Sequence, residues 1–217
     1  MGIHGFAAHQ VFLIEQRQKT EVTFLLEDDN ATRDMYPFRF ALRVIYRLSG
    51  KKLIIQYVVE NRSCDTMFFG LAGHPGFFVP LETGLKFGDY YLEFSEETMP
   101  IRIGISEKGF CSGEDKPLSL HNGHVLPLSH ELFDNDAVVL SGMADTVTLK
   151  SDMGAKAVCV TNPQMPYLGL WHTPKTDAPY LCIEPWTSLP SHLGVIEDLS
   201  QQRNLISLPQ GNIYANK

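Results

Sequence analysis

Apolar side chains recur at every second position of this sequence, and that period limits what the chain can fold into more than any other feature. From Arg39 to Leu48, residues Phe40, Leu42, Val44, Tyr46 and Leu48 fall on one side and Arg39, Arg43 and Arg47 on the other. A period of two belongs to a strand with one buried face; a helix would place apolar residues three and four apart. After Ser49-Gly50-Lys51-Lys52 the alternation resumes, with Leu53, Ile55, Tyr57 and Val59 set against Gln56 and Glu60. The two runs predict a hairpin in which Gly50 takes a positive φ. Further strands are expected over residues 11–15, 21–26, 90–94, 146–150, 157–161, 167–171 and 180–184. A turn or two of helix is expected only near Leu132 and over 196–203. The 17 Gly and 13 Pro punctuate the chain at spacings typical of strand connections. Many short antiparallel strands with no repeating unit imply an all-β sandwich or barrel, in a single domain over residues 1–217.

Composition narrows the partners. With 18 Lys+Arg against 25 Asp+Glu the formal net charge is −7, and no basic cluster is denser than Lys51-Lys52. A phosphate backbone requires a basic stripe, so no nucleic acid is expected as a partner. No stretch approaches the roughly 18 uninterrupted apolar residues that span a bilayer, and Met1-Gly2-Ile3-His4-Gly5-Phe6 lacks a basic segment and an apolar run. Neither membrane insertion nor a signal peptide is expected. Cys64, Cys111, Cys159 and Cys182 are far apart in sequence and form no Cys-x-x-Cys pair, which argues against a zinc ribbon or a thioredoxin-like site. They are expected to be buried free thiols in a cytoplasmic protein.

Four stretches carry candidate chemistry. In Gly73-His74-Pro75-Gly76 an imidazole sits between glycines and before a proline, where a strand is expected to break its pleat and admit a close neighbour. In Tyr180-Leu181-Cys182-Ile183-Glu184-Pro185-Trp186, alternation puts Glu184 on the face of Tyr180 and Cys182, so a carboxylate ends an apolar strand. Burial there raises its pKa and suits it to proton transfer near neutral pH. His4, in His4-Gly5-Phe6-Ala7, and Asp136, in Phe133-Asp134-Asn135-Asp136, complete the set. Each also has an ordinary structural reading: a loop histidine, a strand-end ion pair, a frayed terminus, a turn or cap.

Taken together and in this order, the motifs resemble those of the aldose 1-epimerase (mutarotase) superfamily, specifically its bacterial aldose-1-epimerase-like branch. The resemblance rests on His4-Gly5-Phe6-Ala7, Tyr36-Pro37-Phe38, Gly73-His74-Pro75-Gly76-Phe77, Phe133-Asp134-Asn135-Asp136, Pro166 through Trp171 and Cys182-Ile183-Glu184-Pro185-Trp186. It implies a large twisted antiparallel β-sandwich of the galactose mutarotase-like kind, and interconversion of the α and β anomers of a free aldose, the expected monosaccharide partner. It also implies roles: Glu184 as the base at the anomeric hydroxyl, His74 as the acid at the ring oxygen, His4 as a second imidazole near that oxygen, and Asp136 as a hydroxyl-binding carboxylate, with Asp134 the alternative. Opening a cyclic hemiacetal takes one proton removed and one delivered, so neither metal nor cofactor is required. Phe77, Trp171 and Trp186 are candidate apolar surface for the sugar's C–H faces.

Family members usually carry further residues ahead of the early His-Gly-Phe-Ala motif, including strands and a sugar-contacting Arg. Here that motif begins at residue 4. The expectation is an open sheet edge covered by another segment or by a second subunit, with Arg33 and Arg39 as candidate substitute cations. Two rivals follow: a non-catalytic sugar-binding or regulatory module on the same fold, and a metal enzyme built on His121, His124 and His172.

Overall fold

The computed structural model describes residues 4–216, and among these the all-β expectation is borne out. No helix among them is long and apolar enough to cross a membrane. The chain forms two compact units, Met1–Phe69 with Ile206–Lys217, and Gly70–Leu205.

The first unit is built on a five-stranded antiparallel sheet in the order Leu13–Arg17, Glu21–Glu27, Phe40–Ser49, Lys52–Asn61, Ile213–Ala215. The predicted hairpin is present: Ser49 pairs with Lys52, and Gly50 takes φ +60° in the turn. Its outward-facing arginines are held by carboxylates. Arg43 Nε lies 2.8 Å from Glu15, Arg62 bridges Glu27 and Glu60, and Arg47 pairs with Glu21. Arg33 pairs with Asp28 and Arg39 approaches the same carboxylate at 3.9 Å, so both candidate cations have a local partner within this unit. The Asn30–Met35 helix was not expected. Asp29 caps it by accepting from the Thr32 backbone N–H at 2.7 Å, while the Thr32 hydroxyl accepts from the Asp29 N–H.

The second unit is a sandwich of two antiparallel sheets. A four-stranded sheet runs Val125–Pro127, Tyr91–Phe94, Thr146–Lys150, Val158–Thr161. A six-stranded sheet runs Gly76–Phe78, Tyr180–Trp186, Tyr167–Trp171, Val138–Ser141, Ile101–Ile103, Lys116–Pro117. Alternation sends Leu92, Phe94, Val147 and Leu149 from the first sheet, and Leu140, Leu168, Leu170, Leu181 and Ile183 from the second, into one buried core. The opposite face of the six-stranded sheet carries Cys182, Glu184 and Trp186. A smaller cluster of Ile103, Cys111 and Val139 lies on that face, with Trp186 and Leu189 packed against it. Because the Tyr180–Trp186 strand is apolar inward and covered outward, Glu184 is drawn out of water by its position in the sheet.

Two expectations are corrected. Residues 196–203 form turns: Asp198 Oδ1 accepts from the Ser200 N–H and hydroxyl, 2.7 and 2.6 Å away, and this local bonding competes with a helical ladder. Of the four free cysteines only Cys111 and Cys182 are buried; Cys64 and Cys159 are exposed.

Leu149 is 0% exposed, so Leu149→Ala should cost about 2–5 kcal/mol in urea unfolding through lost burial and the cavity left behind. Met99→Ala, at a side chain 75% exposed in the same unit, should stay within about 0.5 kcal/mol of the unaltered protein.

Candidate active site

The site arises from strand register. Gly76 pairs with Cys182 and Ala72 bridges Trp186, so the midpoint of this antiparallel stretch sets His74 opposite Glu184. The Gly73 N–H donates to the Pro185 carbonyl at 3.0 Å, and the Ile183 N–H donates to the Pro75 carbonyl at 3.1 Å. His74 and Glu184 are therefore a pair between two hydrogen-bonded rungs, the position in an antiparallel ladder where facing side chains come closest. The supposed loop is an edge strand that continues in register through His74-Pro75. Pro75 has no N–H to return to the Ile183 carbonyl, so that rung keeps one hydrogen bond.

His74 Nε2 lies 3.2 Å from Glu184 Oε1. Glu184 is 5% exposed, while the His74 side chain remains 44% exposed and gives the pair its access to solvent. Burial pushes the Glu184 carboxyl up to about 7, opposed by the Trp186 indole N–H donating to Oε2 at 3.3 Å and assisted by the negative charge of Asp136. Burial and the neighbouring Glu184 charge also push the Cys182 thiol up to about 11.

Gly169 pairs with Glu184 from the other side of the strand. A Cβ at Gly169 would sit 2.7 Å from Trp186 Cζ2 and 3.3 Å from the Glu184 Cβ, so only glycine lets the indole lie across that strand and reach the carboxylate. Asp136 lies in a turn at φ +75°, where its Oδ1 accepts from the Trp171 indole N–H at 2.8 Å. That indole meets the His74 ring edge-on, with centroids 6.2 Å apart. Asp134 and Asp136 lie in one turn and act on different groups: Asp136 acts electrostatically on Glu184, and Asp134 acts on His172.

The structure thus brings together Glu184, His74, Asp136 and Trp186. Phe77 is a correction. It pairs with Leu181 and packs against the main core, on the far face of the sheet from the carboxylate, whereas exposed Phe78 has the site-side orientation. His4 belongs to the other unit and is exposed. The rival metal set is not assembled. His172 is fully buried beside Phe87 and Phe133 with its Nε2 3.2 Å from His130 Nδ1, while His124 Nδ1 bonds the Asn122 carbonyl. Two cavities of about 250 Å³ each exist in this unit, and neither is lined by His74 or Glu184. Sequence reasoning missed Gly169. A lone glycine inside the apolar run Tyr167-Leu168-Gly169-Leu170-Trp171 was the signal that could have found it.

A buried carboxylate thus faces an accessible imidazole on an all-β sandwich, two groups of the kind that exchange protons. The chain belongs to the aldose 1-epimerase family, whose sequence model matches residues 1–217. The chromosomal protein LacX of Lactococcus lactis is 34% identical over 211 residues, covering 94% of this chain and 70% of that protein. The X-ray structure of a galactose mutarotase related enzyme from Lactobacillus acidophilus aligns at a TM-score of 0.91 with 30% identity, covering 98% of this chain and 71% of that one. A galactose mutarotase-like protein from Lactobacillus casei aligns at 0.86 with 28% identity, over 94% and 70% of the two chains.

Gly169→Ala should displace the Trp186 indole and withdraw its N–H from Glu184. The expected outcome is a change in tryptophan fluorescence together with a carboxyl pKa raised further. The acid-side limb of the pH–rate profile should therefore move upward relative to the unaltered protein.

Proposed function

We propose that this protein is an aldose 1-epimerase that interconverts the α and β anomers of a free aldose, with Glu184 and His74 as its proton-transfer groups. The observation that carries this reading is the facing pair, a carboxylate raised to about 7 with an imidazole nitrogen 3.2 Å away. A base poised near the working pH combines a useful ionised fraction with useful basicity.

In the forward half-reaction, ionised Glu184 takes the proton from the anomeric hydroxyl. The electron pair forms the C1 carbonyl, the bond from C1 to the ring oxygen breaks, and His74 delivers a proton to that oxygen. Rotation about the C1–C2 bond presents the other face of the aldehyde, and closure runs the same transfers backward. Protons balance over the cycle: on closure Glu184 gives its proton to the carbonyl oxygen and His74 takes one back from the ring hydroxyl, so both groups regain their starting states. In this reading Asp136, which accepts from the Trp171 indole N–H, also accepts from sugar hydroxyls, and the indoles of Trp171 and Trp186 supply apolar walls. No step is assigned to His4. Retention of both members of the pair supports catalysis over a binding module that leaves the anomers unchanged.

Polarimetry on freshly dissolved glucose or galactose tests the reading. The unaltered protein should accelerate mutarotation above buffer, with kcat/KM falling as the pH drops through about 7 because the base becomes protonated. Glu184→Gln should lower kcat by roughly 10²–10⁴. No rate above buffer across a panel of aldoses would leave the sugar-binding module as the function.

The same carboxyl makes a stability prediction. Its folded-state pKa lies above the ordinary 4.5, so the folded chain loses stability as pH rises from about 4.5 through about 7 and the buried group ionises. Glu184→Gln removes that loss. Its melting temperature should exceed that of the unaltered protein at pH 8, and the difference should narrow toward pH 5.

A further inference from the structure

We propose that a thiophilic divalent cation, Zn²⁺ or one of its class, binds His74, Cys182 and Glu184 and reversibly shuts the site down. The inhibitory consequence rests on the proton-transfer reading above; the binding itself does not. Cys182 and Glu184 occupy alternate positions of one strand and so face the same way, and His74 stands across from them on the edge strand. One ligating atom from each, an imidazole nitrogen, a sulfur and a carboxylate oxygen, all lie within 4.8 Å of one another. Gly76, which pairs with Cys182, puts no side chain against the buried thiol; a Cβ there would lie 3.5 Å from the sulfur.

The donor set selects the ion. Nitrogen, thiolate and carboxylate together suit zinc, whereas magnesium and calcium take oxygen ligands. Tetrahedral zinc with bonds near 2.0–2.3 Å sets its ligand atoms about 3.4–3.6 Å apart. His74 and Glu184, at 3.2 Å, already meet that spacing closely, and the thiol needs to close by at most about 1.4 Å. Three protein ligands leave a fourth position for water, and the half-exposed imidazole provides the way in. On binding, the Cys182 S–H bond is replaced by a sulfur–metal bond and its proton passes to the buffer; nothing is oxidised or reduced. The lone pair on His74 and the oxygens of Glu184 are then committed to the metal, so neither group can transfer a proton to or from a sugar.

The test uses the full chain, stripped of metal with a chelator and titrated with Co²⁺ and then Zn²⁺ while near-ultraviolet absorption and mutarotation are both followed. The expected result is a thiolate-to-cobalt charge-transfer band at one Co²⁺ per chain, bleached by Zn²⁺, with zinc inhibition that a chelator reverses. Cys182→Ala should lose the band and need at least about tenfold more zinc to halve its own zinc-free rate. His74→Gln should lose tight cobalt binding. Replacing the exposed thiols Cys64 and Cys159 by serine should leave the band in place. Should Cys182→Ala fail to fold by circular dichroism, Cys182→Ser takes its place. A band that survives without Cys182, the absence of any thiolate band, or unchanged zinc inhibition in the variant overturns the proposal. A band in a protein that shows no mutarotation overturns the proposed reaction and leaves the metal site standing.

Discussion

The site depends on the antiparallel pairing between the edge strand and the Tyr180–Trp186 strand. Shifting that register by one residue would turn Phe77 toward the site and bury His74 against Leu181 and Ile183. The shift is opposed by the core. Leu181 and Ile183, both fully buried, pack with Phe77 into the centre of the sandwich, each contributing roughly 1.5–3 kcal/mol through burial. Apolar packing on one face of the sheet thus fixes the apposition of His74 and Glu184 on the other.

Placing a carboxylate on a sheet face covered by apolar groups is costly, and the surroundings offset that cost only in part. Glu184 keeps two polar neighbours, the imidazole of His74 and the indole N–H of Trp186. Among the described residues no lysine or arginine pairs with it, whereas Glu15, Glu27 and Glu60 of the first unit are each matched with an arginine. The contrast is chemical. A carboxylate held by a guanidinium stays ionised and inert, while one held by a neutral N–H and a titratable ring remains able to exchange a proton.

Much of the fold was legible because alternation survives wherever a strand has one buried face. The strands Thr146–Lys150 and Tyr167–Trp171 match the sequence expectation at both ends. Short strands such as Met67–Phe69 and Val138–Ser141 carry too few residues for a period to register. The Asn30–Met35 helix is fixed by its Asp29–Thr32 capping box rather than by an apolar stripe, and so escaped a search for periodicity. At the site, the residue types of Glu184 and His74 were readable, and motif order pointed to their chemistry. Their direct apposition was not, because a Gly- and Pro-rich segment looks like a loop until its partner strand is known. For the same reason Phe77 and Phe78 could not be told apart: which of two adjacent rings faces the site is decided by register alone.

Pro75 and Pro185 sit in the two rungs that flank His74 and Glu184, and each removes one N–H, so each rung keeps a single hydrogen bond where an ordinary rung has two. In the proposed reaction a pyranose enters between two side chains already in contact, and the ladder beside them has half the bonds of an ordinary one to give up.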